Sequence, residues 1–250
     1  MKVWELADGS KHIGAIECQP YRIVEDQSRN STRKLVDTLE EQKLLEEMIE
    51  ESKPPAPTKN KHGSLHWLLF TPFRYPPRRH GSRFSRHTEQ SLFYGSNELK
   101  TAMAEIAFRQ LLHNNATDAK LAPVNMNFTH VKVHVKTEKG VLLTEAPFKK
   151  HRDEISNPLS SEISQTLGTQ MRNDGVEAFT FFSARNPGGK NTGMFSVDAF
   201  AKNKPLEECS WKAFVSKEVV EFTPLIKSSG EPQVFSINDF KINGKLPFAG

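Results

Sequence analysis

Arg83, Tyr94 and Glu105 follow one another at equal spacings of eleven residues and offer a fixed cation, a phenol and a carboxylate. A guanidinium fork pairs bidentately with phosphate oxygens. A carboxylate can stabilise positive charge that develops in a transition state. Glu105 lies in the helical stretch Asn97 to His113, on a face shared with Ala102, Phe108 and Leu112. Its side chain therefore points toward packed surface, where a carboxylate needs a partner or a purpose. Residue physics leaves two readings open, a catalytic carboxylate and a structural ion pair with Arg83 or Arg109.

Around Arg83 the segment 74 to 87 (RYPPRRHGSRFSRH) holds Arg74, Arg78, Arg79, Arg83 and Arg86 with Gly81 and two histidines. Such a run suits phosphate, or is a solvated basic loop. With Trp67, Phe70, Phe73 and Phe84 interleaved, it also frames an alternative function, a nucleic-acid-binding module, although these aromatics suit a core equally. Arg83 is placed at the start of a strand. A second cluster, FFSARNPGGKN at 181 to 191, runs an apolar strand into a turn with Ser183, Arg185, two glycines and Asn191. Backbone amides and a cation gathered this way can surround a phosphate, where a plain hairpin turn would need only the Pro and Gly. His130 and His134 share a strand face but have no carboxylate near them in sequence, so no metal site is expected. Cys18 and Cys209 read as plain buried residues of a reduced compartment.

The elements that must position these groups follow from periodicity. Residues 31 to 52 repeat apolar positions at near-helical intervals; Ser31 or Thr32 would cap that helix and Pro54 would stop it. Residues 53 to 63 read as an exposed linker. The run 66 to 73 (HWLLFTPF) fits a buried strand, though a run so short can also be helical. The helix from Asn97 takes Ser96 as its cap and a stripe of Leu99, Met103, Ile106 and Gln110. The alternation at 129 to 135 places Val131, Val133 and Val135 on one face of a half-buried strand. Further strands are expected at 140–143, 178–182, 193–197 and 219–222, with turns at 157–158 and 186–189. The pattern is mixed α+β.

The 250 residues, with 36% apolar and 26% charged positions, suffice for a core and exclude disorder. A net charge of +4 favours anionic partners mildly. No apolar run is long enough to span a membrane and the first residues lack a signal peptide's apolar stretch, so a soluble, cytoplasmic protein is expected.

Taken together, GSRF at 81–84, FYGS at 93–96, AEIAF at 104–108 and FFSARNPGGKN at 181–191 resemble the RES domain. Tyr21-Arg22-Ile23 resembles the Tyr-Arg strand that opens that domain, so the likeness runs from about residue 20 to 225. It implies a single domain over 1–250 with a helical insertion and Pro-rich linker at 31–62 and the main catalytic portion at 63–225. It implies a fold similar to ADP-ribosyltransferases, with an NAD cleft between two small sheets. By the same resemblance Arg83, Tyr94, Glu105 and Ser183 are catalytic, while Arg22, Tyr21, Arg74, Ser82, Arg185 and Asn191 bind NAD. Tyr94 would stack on nicotinamide and Ser183 would hydrogen-bond the substrate. The insertion separates Arg22 from the GSRF element more than the family pattern does, and Arg74 is its substitute as the second site arginine. NAD is implied as substrate, without a metal. The implied reaction is cleavage of the nicotinamide–ribose bond by glycohydrolase, phosphorylase or ADP-ribosyltransferase chemistry. The implied setting is the toxin of a toxin–antitoxin pair. The expected partners are a cognate antitoxin and, for transfer, a protein acceptor of ADP-ribose. No membrane is involved, and nucleic acid only through an antitoxin.

Overall fold

The computed structural model describes the chain except residues 1, 27–34, 78, 227–229 and 248–250. Its elements are α1 (Val3–Leu6), β1 (Gly14–Cys18), β2 (Tyr21–Glu25), α2 (Leu39–Ser52), β3 (Lys59–Asn60), β4 (Gly63–Ser64), α3 (Trp67–Arg74), β5 (Phe93–Ser96) and α4 (Leu99–Asn114). There follow β6 (Val124–Lys132), β7 (Val135–Leu142), α5 (Arg152–Ile155), α6 (Glu162–Asn173), β8 (Ala178–Phe182), β9 (Lys190–Met194), β10 (Glu207–Val215), β11 (Val219–Pro224) and β12 (Gln233–Ser236). The mixed α+β class is what the alternation of patterns implies.

Ten strands form one ladder in the order β1-β7-β8-β9-β5-β2-β6-β10-β11-β12, apart from the short β3-β4 ribbon. It is antiparallel throughout except for β7 beside β8. Its weak point is at the middle. β5 and β2 are joined by the single pair Tyr21↔Ser96, so the sheet divides into two five-stranded halves. The two shortest connections between the halves are residues 19–20 and 133–134, where Val133 N–H donates to Pro20 O at 3.0 Å.

Helix α4 packs mainly on β2, β11 and β12 and also reaches β5 and β9 of the other half. Met103, Ala107 and Leu111 are fully buried beneath it with Phe128, Trp211 and Phe222. Each such large side chain contributes about 1.5–3 kcal/mol. The other half buries Phe84, Phe179, Phe181, Leu167 and Met171 between strands and α6, and α3 covers β5 and β9 with Leu69 and Phe73.

Several expectations need correction. The stretch 66 to 73 is helical, with Leu68, Leu69 and Phe73 buried and Trp67 44% exposed. One-sided burial favours the helix over a strand buried on both faces. α2 begins at Leu39, not residue 31, because Thr38 and Glu41 form a capping box; Ser31 and Thr32 lie outside the described residues. α4 starts at Leu99 with Glu98 as its cap residue, since the Ser96 hydroxyl is spent on Asn191 at 2.7 Å. The alternating run 129–135 is broken at 133–134, although Val131, Val133 and Val135 are fully buried as expected. Arg83 sits at the tip of a tight reversal between Ser82 and Ser85, not at a strand start. Both cysteines are free but only half-buried.

Gly168 on α6 shows how tightly the Arg83 reversal is seated, because a Cβ there would overlap the Phe84 carbonyl. Gly168→Ala is expected to cost about 2–3 kcal/mol by overpacking, read as a lowered midpoint in urea unfolding. An unchanged midpoint would show that the reversal yields freely.

Candidate functional site

Glu105 stands at the middle of α4, beside the joint between the sheet halves. Its Oε1 accepts from Ser183 Oγ at 2.7 Å and from Asn191 Nδ2 at 2.7 Å. Oε2 takes part in neither bond. Asn191, on β9, is itself oriented by Ser96 of β5, whose hydroxyl donates to Asn191 Oδ1. Ser183, just past β8, has its remaining capacity filled by the amides of Arg185 and Asn186, each 3.0 Å from its Oγ. Those amides close a turn around the serine, so they face its hydroxyl and not an open phosphate cradle. The hydroxyl serves Glu105. The turn is also tied to the start of α4 through Asn186 Nδ2, which donates to Thr101 Oγ1 at 2.8 Å.

Arg83 and Arg185 act electrostatically with this carboxylate, and Arg22 joins the group through Tyr94. Arg83 donates to the Asn157 carbonyl at 2.8 Å. Arg185, 8% exposed, lies 3.6 Å over the Phe108 ring and reaches the next carbonyl, Pro158 O, at 3.5 Å. Arg22 lies over Phe93 at 5.1 Å and donates to Tyr94 O at 3.4 Å, while its buried Nε has no hydrogen-bond partner. Burial draws all three below the ordinary arginine value. Arg22 falls to about 10, with the charge of Arg109 adding to the effect. Arg185 falls to about 10, with Glu105 opposing and Arg83 reinforcing the shift. Burial lowers Arg83 too, with Glu105 and Tyr94 opposing by favouring its charged form. All stay cationic at neutral pH. Tyr94 Oη accepts Phe84 N–H at 3.0 Å and shares a hydrogen bond with Ser82 Oγ at 3.0 Å. Burial raises the phenol above its usual value.

The fold therefore gathers Arg22, Ser82, Arg83, Tyr94, Glu105, Ser183, Arg185 and Asn191 through linked contacts. Tyr21 sits beside Arg22 on β2 and packs edge-on to His130 with ring centres 5.6 Å apart. Arg74 is directed elsewhere. Its Nη1 meets Glu50 at 2.8 Å and its Nε meets Pro54 O at 2.7 Å, so it fastens α2 to α3. Asn157, Pro158 and Phe108 were not foreseen as members. Phe108 had a signal, since it stands one turn from Glu105; the two backbone carbonyls had only the Asn-Pro turn.

Among the described residues of the arginine-rich segment, Arg74, Arg83 and Arg86 do not make one basic surface. Arg74 turns to α2, Arg83 to Asn157, and Arg86 to Thr166 at 3.2 Å; Arg78 lies outside the described residues. The histidines do have carboxylates, contrary to the premise taken from the sequence. His134 Nε2 lies 2.8 Å from Glu17, and His130 Nε2 lies 3.0 Å from Glu207, with Cys209 beside it. Trp211 Nε1 donates to His130 Nδ1 at 2.8 Å, which leaves the ring proton on Nε2, pointing at Glu207. A metal at Nε2 would need that proton on Nδ1, against the Trp211 N–H. The group is a hydrogen-bonded chain.

The sequence matches the family described as RES domain over residues 60–213, more than half of the chain. The chain belongs to the RES-domain family. No curated protein matches it. A solved chain of the M. tuberculosis MbcT-MbcA toxin-antitoxin complex superposes on it with a TM-score of 0.49 and 10% identity, covering 83% of this chain and 91% of that one. Glu105, Ser183, Asn191, Arg83 and Arg185 all fall inside the matched RES segment, and Arg22 precedes it. In this RES domain no described helix is long and apolar enough to cross a membrane.

If the chain turns over NAD, Arg74→Ala is expected to leave the rate within about twofold of wild type, because the Arg74 side chain is engaged by Glu50 and Pro54 O away from Glu105, and a pair with so exposed a carboxylate contributes under about 1 kcal/mol. Initial rates of NAD loss measure it. A collapse in rate would make Arg74 a site arginine.

Proposed function

We propose that this protein cleaves the nicotinamide–ribose bond of NAD. The observation that carries this reading is a carboxylate, Glu105, held by two neutral donors while the desolvated Arg83 and Arg185 act on it electrostatically. Two cations against one carboxylate leave this group positive, which favours a polyanion such as a pyrophosphate. As the C1′–N1 bond breaks, its electron pair leaves with nicotinamide and positive charge builds on the ribose. The Glu105 carboxylate stabilises that charge. Nicotinamide departs neutral, so no strong general acid is needed. An acceptor, whether water, phosphate or a protein nucleophile, then adds at C1′ and releases a proton.

The RES resemblance supports a toxin role and a cognate antitoxin that covers the cleft. The divergent arginines weigh against the nucleic-acid reading, which predicts a continuous basic face. Purified protein incubated with NAD, with and without phosphate and cell extract, followed by mass analysis, tests the proposal. Free ADP-ribose marks hydrolysis, its 1″-phosphate marks phosphorolysis, and a protein adduct marks transfer. Absence of nicotinamide release in every arm overturns it.

A further inference from the structure

The reversal that carries Arg83 is held by two side chains from different elements. Ser82 N–H donates to Ser85 O at 2.7 Å, which puts Arg83 and Phe84 at the tip. Gly81 leads into it at φ +77°, a backbone region that other residues adopt only with strain. From β5, Tyr94 Oη takes the Phe84 amide and engages Ser82 Oγ, each at 3.0 Å. From α6, Gln165 Nε2 donates to the carbonyls of His80 and Ser82, each at 3.0 Å. These bonds fix the backbone on both flanks of Arg83 through groups other than its guanidinium. The guanidinium, projecting from a backbone held in this way, meets Asn157 O at 2.8 Å.

We propose that the Tyr94 hydroxyl and the Gln165 carboxamide are positioning groups that hold Arg83 at the angle needed to receive an anionic substrate. The anion's identity rests on the NAD reading; the clamp itself does not. A stacking role for Tyr94 would use the ring face, which phenylalanine keeps. The clamp uses the oxygen, which phenylalanine lacks. The ring also has a neighbour in Phe181, edge-on at 6.2 Å. Gln165 acts on the same reversal from another element, so the two should behave as one device.

Tyr94→Phe and Gln165→Leu are expected each to raise KM for NAD about tenfold with kcat within about twofold, since each loses hydrogen bonds that orient the cation but no group that reacts. In an Arg83→Ala background both substitutions should add nothing, because the residue they position is gone. A merely structural role would keep lowering activity there. Wild-type kinetics in Tyr94→Phe, or full additivity with Arg83→Ala, overturns the proposal. A second measurement needs no substrate: the Nε–Hε resonance of Arg83, assigned by its loss in Arg83→Ala, should shift or broaden in both variants. Should wild-type protein leave NAD intact, the NAD reading fails, and the clamp stands or falls on that resonance alone. An unmoved resonance in either variant then overturns it.

Discussion

Glu105→Gln is expected to lower kcat for NAD cleavage by about 100- to 1,000-fold while leaving the protein folded. The amide keeps an oxygen at the Oε1 position, so Ser183 and Asn191 can still donate to it at the geometry now seen at 2.7 Å. What disappears is the negative charge that faces the developing cation, and the loss of one well-placed electrostatic group typically costs rate in that range. Glu105→Ala is a poorer probe, because it strands two buried donors as well and so adds a stability loss of about 1–3 kcal/mol. Initial rates at saturating NAD, paired with thermal melts, decide the matter. Wild-type turnover in Glu105→Gln would mean that the carboxylate only organises Ser183 and Asn191.

Arg22→Met is expected to move stability and activity in opposite directions. The Arg22 guanidinium has a long contact to Tyr94 O at 3.4 Å, a buried Nε with no hydrogen bond, and a pKa drawn down to about 10 by desolvation. Replacing a poorly compensated buried charge with an apolar side chain of similar length is commonly neutral or stabilising, by about 1–4 kcal/mol. Calorimetry should therefore show a Tm raised by a few degrees, at roughly 2–4 °C per kcal/mol for a chain of this size. kcat/KM for NAD should fall about 100-fold, the worth of a charge-assisted contact to phosphate of about 2–3 kcal/mol. A variant that is both less stable and fully active would place Arg22 among the structural residues.

Much of the site was legible because its residues stand in local patterns that also fix their elements. Ser183-Ala-Arg185 sits at the end of an apolar run that does become β8, and Glu105 lies on a helix whose buried face includes Ala102 and Phe108. The expectation that Glu105 needs a partner is met, by Ser183 and Asn191. Local reasoning failed where tertiary contacts decide. Ser96 is a good N-cap by type, but its place opposite Asn191 on the neighbouring strand claims its hydroxyl. The run 66–73 has no periodicity long enough to separate helix from strand; it became a helix because one face covers β5 and β9 while Trp67 faces solvent. Carbonyl partners such as Asn157 O and Pro158 O carry no side-chain signature at all. The carboxylates beside His130 and His134 come from 77 and 117 residues away, beyond any motif.

The sheet's central joint has a consequence for how the protein comes into being. A single pair, Tyr21↔Ser96, bridges the two halves, and Glu105 on α4, which packs mainly on one half, is bound by Ser183 and Asn191 of the other. Asn191, one of its two clamps, lies on β9, which pairs with β5 and β8. A chain emerging from the ribosome thus holds no assembled centre until residue 191 is free and its strand has docked. If the centre cleaves NAD as proposed, that ordering keeps the growing chain inactive until the strand has docked.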